Sequence, residues 1–184
     1  NVIGAPFYLM ERKRGHVIRD AIPEALDNPG DRRRIGFEMI DALTEIHGVD
    51  WQALGLTTRG GSYLDRQLAR WNKQAELTVG KVRELPRLAE VGAWLAERKP
   101  RHEDVTVVHG DFKLDNVMFT PGSPTRLNAV FDWEMATIGD PLADLGWLMH
   151  TWGRPAGVTD ETTLPLTAMP VSYTHLRAHE TPLH

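Results

Sequence analysis

The chain contains no cysteine. That absence excludes thiol catalysis, cysteine-ligated metal and disulfide cross-links, and it is compatible with a reducing compartment. Positive charge is not in excess either. Lys and Arg total 21 against 25 Asp and Glu, a net charge of −4, so nothing points to a nucleic-acid partner. No apolar run is long enough to span a bilayer, and no signal-peptide pattern is seen. The expectation is a cytoplasmic protein with no membrane partner. At 184 residues the chain suits one domain with a real core.

What is present centres on one stretch, His109-Gly110-Asp111-Phe112-Lys113-Leu114-Asp115-Asn116, and a later Phe131-Asp132-Trp133. Val105 to Val108 is a β-branched run and reads as a buried strand. It stops at His109-Gly110, where glycine permits a sharp turn, and Asp111 stands at the mouth of the loop. Val117-Met118-Phe119 is apolar again, and residues 120–124 read as a turn. Leu127 to Phe131 reads as a second strand, with Asp132 at its end. Two carboxylates and one amide therefore come off neighbouring strand ends. Asn116 and Asp132 can hold a divalent cation between them, with Asp111 free beside it.

Phosphoryl transfer needs such a set. Mg²⁺ takes hard oxygen ligands, few protein carboxylates and several waters. Asp111 can accept the proton of an attacking hydroxyl. Lys113, two residues on, can stabilise the charge of the γ-phosphoryl group. Kinase sites share this layout of a catalytic Asp, an Asn five residues later and a further metal-side Asp.

The segments HGDFKLDNVMF and FDWEMATIGDPLADLGWL resemble the aminoglycoside phosphotransferase and choline kinase-like family. Residues Tyr63-Leu64-Asp65-Arg66-Gln67 with Arg70-Trp71 resemble the subgroup fused to, or encoded near, acyl-CoA dehydrogenases. The resemblance implies an α+β, protein-kinase-like fold, mainly the helical C-terminal lobe with a short catalytic strand pair and most of the small lobe missing. It implies ATP and Mg²⁺ as cofactors, Asp111 and Lys113 as catalytic residues, and Asn116 and Asp132 as metal and cofactor ligands. It also places Met10, Glu11 and Arg12 in an interlobe hinge whose backbone binds adenine. The acceptor is a small-molecule hydroxyl, with a hydroxyacyl-CoA as the leading candidate and a fused or neighbouring dehydrogenase as partner. Asp144 would hold the catalytic loop through hydrogen bonds, or serve only as a first-turn acid favoured by the helix dipole.

The expected divisions are 1–14 as the end of the N-lobe and hinge, 15–170 as a partial kinase-like C-lobe, and 171–184 as a non-native or disordered tail. The tail resembles translated sequencing-adapter read-through, and His175, His179 and His184 are not read as a metal cluster. No Gly-rich phosphate loop or strand lysine precedes the hinge, so the chain reads as a fragment that is inactive alone. Two other functions stay open. One is a nucleotide-binding or scaffolding module without catalysis. The other is a metal-dependent phosphohydrolase, for which no nucleophile or second metal cluster is found.

Periodicity adds the frame. Phe7 to Met10 reads as a strand. Asp31 is the expected N-cap of a helix running to His47, with Ile35, Met39, Leu43 and Ile46 inward. Ser62 opens a helix with Leu64, Leu68, Trp71 and Ala75 inward; its Arg66, Arg70 and Lys73 either meet an anionic acceptor or form a solvated face. Pro86 starts a helix to about Lys99, with Leu88, Val91, Trp94 and Leu95 inward. Asp140 caps a last helix that has Pro141 in first position and Leu142, Leu145, Trp147 and Leu148 as core.

Overall fold

The structure, a computed structural model, describes residues 4, 7, 9–19, 21–58, 60–78, 86–100 and 104–152. The 171–184 tail with its three histidines lies outside these residues, as does part of the 1–14 segment. The described positions Phe7, Leu9 and Met10 are exposed and carry no strand.

Helix α1 (Pro29–His47) starts where two cues coincide. Pro29 takes the first helical position, where a missing N–H costs nothing. The Asn28 side-chain oxygen accepts the Asp31 N–H at 2.9 Å, so Asn28 is the cap, which corrects the expectation for Asp31. Asp31 is buried instead. Its carboxylate accepts the Asn28 amide at 2.8 Å and the Thr125 N–H at 2.7 Å. The Ser123 hydroxyl and then the Thr125 N–H hold its pKa below the usual carboxylate value, against the opposing effect of burial. Ile35, Met39 and Leu43 are buried along one face of α1, each contributing about 1.5–3 kcal/mol of apolar burial. Gly48 ends the helix, its N–H bonded to the Thr44 carbonyl at 2.9 Å.

Among the described residues, four short strands form two antiparallel pairs. Strand β1 (Thr106–Val108) pairs with β4 (Thr137–Gly139), with Val107 opposite Ile138. Strand β2 (Val117–Phe119) pairs with β3 (Leu127–Val130), with an irregularity between Met118 and Phe119. The segment after Asp132 ends in Thr137–Gly139, the partner of β1. The carboxylate-bearing strand ends thus belong to two different strand pairs. His16 joins the β2 edge through paired backbone bonds with Phe119, both 2.8 Å. The core lies between α1 and the β2–β3 pair, and includes Ile18, Phe112, Leu114 and Phe119.

Helix α2 (Tyr63–Thr78) is capped by Ser62, whose hydroxyl accepts the Asp65 N–H at 3.3 Å. Helix α3 (Leu88–Arg98) packs on it, and Lys99 ion-pairs with Asp65. The helix begins two residues after Pro86, and none of its residues is fully buried. Val91, Trp94 and Leu95 are exposed, so the expected inward stripe of α3 does not enter the core. Trp71 of α2 is exposed as well.

Helix α4 (Pro141–Trp152) begins as expected, with Asp140 accepting the Leu142 N–H at 2.8 Å. Leu148 and Trp152 are buried, whereas Leu142 and Trp147 are exposed and lie outside the core. No helix among the described residues is long and apolar enough to cross a membrane.

Candidate active site

The site grows from the end of β1. His109 leaves the strand buried, and Gly110 turns the chain with φ +86°. A Cβ there would lie 2.8 Å from the Met135 carbonyl oxygen, so only glycine fits both the backbone and the space. Asp144 of α4, fully buried, pins this turn. Its Oδ2 accepts the His109 N–H at 2.8 Å and the His47 Nε2 at 3.1 Å, and its Oδ1 accepts the Gly110 N–H at 2.8 Å. The carboxylate therefore grips the loop directly, and the end of α1 braces it through His47.

Asp111 comes next and is held at both oxygens. Trp147 Nε1 donates to Oδ1 at 2.7 Å. Asn116 Nδ2 at 2.8 Å and Lys113 Nζ at 2.9 Å donate to Oδ2. Burial alone would raise the Asp111 pKa and is the largest single influence. The hydrogen bonds from Lys113, Asn116 and Trp147 and the Lys113 charge together outweigh it, leaving the pKa below the ordinary 3.8. A carboxylate offers about four lone pairs, and three donors leave one on Oδ1. Trp147 was read as core; it follows Asp144 by three residues, so one face of α4 serves both the turn and Asp111. That spacing was the available signal.

The two motifs are tied together at Phe131. Its N–H donates to the Asn116 carbonyl and its own carbonyl accepts from His109 Nε2, at 2.8 and 2.9 Å. His109 Nδ1 accepts the Asp111 N–H at 3.2 Å, so the imidazole is the neutral Nε2–H tautomer. Asp132 follows in the left-handed conformation with φ 64°. That conformation costs a non-glycine residue about 1–2 kcal/mol and persists only where neighbours enforce it.

Asn116 and Asp132 have the chemistry of Mg²⁺ ligands. Both Asn116 hydrogen bonds use Nδ2, donating to the Asp111 carbonyl and to its carboxylate. Its Oδ1 has no partner among the described residues. Asp132 is exposed, and its carboxylate caps nothing. No group of three His, Cys, Asp or Glu gathers to hold a metal among the described residues. One amide and one carboxylate is the sparse hard-oxygen set that Mg²⁺ accepts.

A cavity of about 1140 Å³ opens beside Asp111, bounded by α2, Met135, Thr137 and Trp147. Tyr63 of α2 lies against β4, where a Cβ on Gly139 would come within 2.6 Å of its ring. Burial, and then the nearby Asp144 charge, raise the Tyr63 pKa. Asp111, Lys113 and Asn116 are thus in direct contact, and Asp132 is attached through Phe131. Met10, Glu11 and Arg12 are exposed and make no hydrogen bond to this group; Glu11 ion-pairs with Lys13 at 2.8 Å.

This fold and loop pairing are of the kinase-like phosphotransferase type. The chain belongs to the phosphotransferase enzyme family, whose model matches residues 1–164. It is 40% identical over 158 residues to mouse acyl-CoA dehydrogenase family member 10, covering 85% of this chain and 14% of that protein. It is 37% identical over 162 residues to acyl-CoA dehydrogenase family member 11 from Gallus gallus, covering 86% of this chain and 20% of that one. The chain therefore spans a fifth or less of these relatives. Among solved structures, it resembles a Ralstonia eutropha protein provisionally named an aminoglycoside phosphotransferase. There the TM-score is 0.68 and the identity 36%, over 78% of this chain and 44% of that one. An aminoglycoside-3'-phosphotransferase of type VIII shares the fold, with TM-score 0.57 and 19% identity over 90% of this chain and 57% of that one.

Proposed function

We propose that the gene product carrying this chain is an ATP- and Mg²⁺-dependent kinase acting on the hydroxyl of a small molecule, a hydroxyacyl-CoA being the favoured acceptor. The observation that carries this reading is the setting of Asp111: a carboxylate fixed by three donors and left with one acceptor position beside a cavity. The acceptor hydroxyl donates to Asp111. Its oxygen forms the new bond to the γ-phosphorus as the bond to the β,γ-bridging oxygen breaks, and ADP leaves. The hydroxyl proton passes to the Asp111 carboxylate and then to solvent. A carboxylate with a lowered pKa is a weak base. That suffices where the transition state is loose and little proton transfer is needed before the phosphoryl group has moved.

Lys113 stays close to Asp111 and steadies the charge on the transferring group. Asn116 and Asp132 hold Mg²⁺, which when bound neutralises the phosphate oxygens. The backbone of Met10, Glu11 and Arg12 lines the adenine. The dehydrogenase relatives support a fused or neighbouring acyl-CoA dehydrogenase as partner and an acceptor of acyl-CoA type.

Asp111→Asn in the gene product tests the reading. It keeps the side-chain shape and removes the anion that orients the hydroxyl. ADP formation with a hydroxyacyl-CoA should fall by about two to four orders of magnitude, the range of general acid–base contributions. Full turnover in that variant refutes the role of Asp111. A thermal shift with MgATP but no ADP formation by wild type favours a nucleotide-binding module.

A further inference from the structure

We propose that α2 carries an anion-recognition wall on the acceptor cavity, centred on Arg70, which holds an anionic group of the phosphate acceptor while its hydroxyl faces Asp111. The inference rests on the kinase reading above and names the residue that recognises its acceptor.

Tyr63, Arg66, Gln67 and Arg70 recur at helical spacing and all line the cavity that Asp111 also lines. The basic face of α2 therefore borders an open cleft shared with the reacting group. Arg66 is anchored, its Nη1 donating to the Gly60 and Gly61 carbonyls at 3.0 and 2.6 Å. Arg70, one turn on, has no carboxylate partner among the described residues. Its guanidinium lies 5.7 Å from the centroid of the neighbouring Trp71 ring. Like charges four residues apart weaken a helix, and an anion bound at this wall would relieve that repulsion.

The charge of the lining points the same way. Asp111 is the one acid among the described residues that line the cavity. Lys113 already neutralises it at 2.9 Å. A polycationic acceptor would meet two guanidinium groups and no carboxylate to spare. A phosphate or carboxylate, by contrast, matches the planar guanidinium fork. At about 1140 Å³ the cavity is as large as the sites that enclose drug-sized ligands. One acceptor can therefore present its hydroxyl to Asp111 and its anion to α2.

Binding of coenzyme A, followed by tryptophan fluorescence with MgAMPPNP present, reads this wall without catalysis. Wild type is expected to bind. Arg70→Glu should weaken binding by about tenfold or more, as expected for loss of a charge-assisted hydrogen bond, and Arg70→Lys should fall between. Equal affinity in wild type and Arg70→Glu, or no binding by wild type, overturns the proposal. In the gene product, Arg70→Ala should raise the KM for 3-hydroxybutyryl-CoA by a similar factor and leave the KM for MgATP within about twofold. A wild-type preference for kanamycin over 3-hydroxybutyryl-CoA also overturns it. Coenzyme A binding that depends on Arg70, with no acceptor phosphorylated by wild type, leaves the wall in place and refutes the kinase reading alone.

Discussion

Replacing Asp144 by Asn changes one atom in kind and almost nothing in shape, yet it should loosen the centre of the site. The carboxylate now accepts three donors, the backbone N–H groups of His109 and Gly110 and the His47 ring. An amide has one acceptor oxygen. Placed at Oδ2, that oxygen keeps His109 and His47 but turns its NH₂ toward the Gly110 N–H. Placed at Oδ1, it keeps Gly110 and orphans the His109 N–H. Either way one buried backbone donor is left unpaired, at about 1–3 kcal/mol. The surviving bonds lose their charge assistance and roughly half their strength. A total near 3 kcal/mol corresponds to a Tm lower by roughly 6–12 °C in a domain of this size. Scanning calorimetry on Asp144→Asn and wild type measures it directly. A Tm within about 2 °C of wild type would refute the claim that this carboxylate holds the turn.

Two further outcomes follow from the same geometry. In Lys113→Met, Asp111 loses its salt-bridge partner, and burial then meets less opposition. Its pKa should rise from below 3.8, read by carboxyl NMR titration; an unchanged or lower value would contradict the assigned cause. The sign for stability matches: a depressed carboxylate stabilises above its unfolded pKa, and this is lost as pH falls through the folded value. The wild-type contribution of Asp111 is therefore fully present at neutral pH and fades as pH falls below 3.8, and in the variant, whose folded pKa lies higher, it should already be smaller at neutral pH. Gly110→Ala places a Cβ against Met135 and forces a positive φ on alanine. It should cost at least about 1–2 kcal/mol in denaturant unfolding, and a wild-type midpoint would show that the turn can relax.

Much of the frame was legible in the sequence. The α1 stripe of Ile35, Met39 and Leu43, the Asp140-Pro141 helix start and the 109–116 loop all carry local signals. Local signals fail where two neighbours offer the same chemistry. Asn28 and Asp31 both suit an N-cap, and Pro29 decides between them, because proline belongs at the first helical position. They fail again at pairing. The run at 105–108 asks for a strand partner, but nothing in it distinguishes Leu127–Val130 from Thr137–Gly139. Amphipathic spacing shows which residues share a face, and not what lies opposite. Val91 and Trp94 of α3 share a face that stays exposed. Trp147 shares one with Asp144 and meets Asp111, because an indole can pack through its ring and donate through its nitrogen. For Asp111, Lys113 and Asn116, the five-residue spacing was enough to bring all three into contact.

Phe131 contributes no side-chain chemistry, yet both of its main-chain polar groups are spent on the loop across from it. Displacing Asp132 would mean breaking two bonds, about 1–3 kcal/mol in all, before any other rearrangement. The acidic tip and the opposite loop should therefore behave as a single latch, shut or broken as a unit. A compound designed to capture a swung-out Asp132 would begin at that disadvantage.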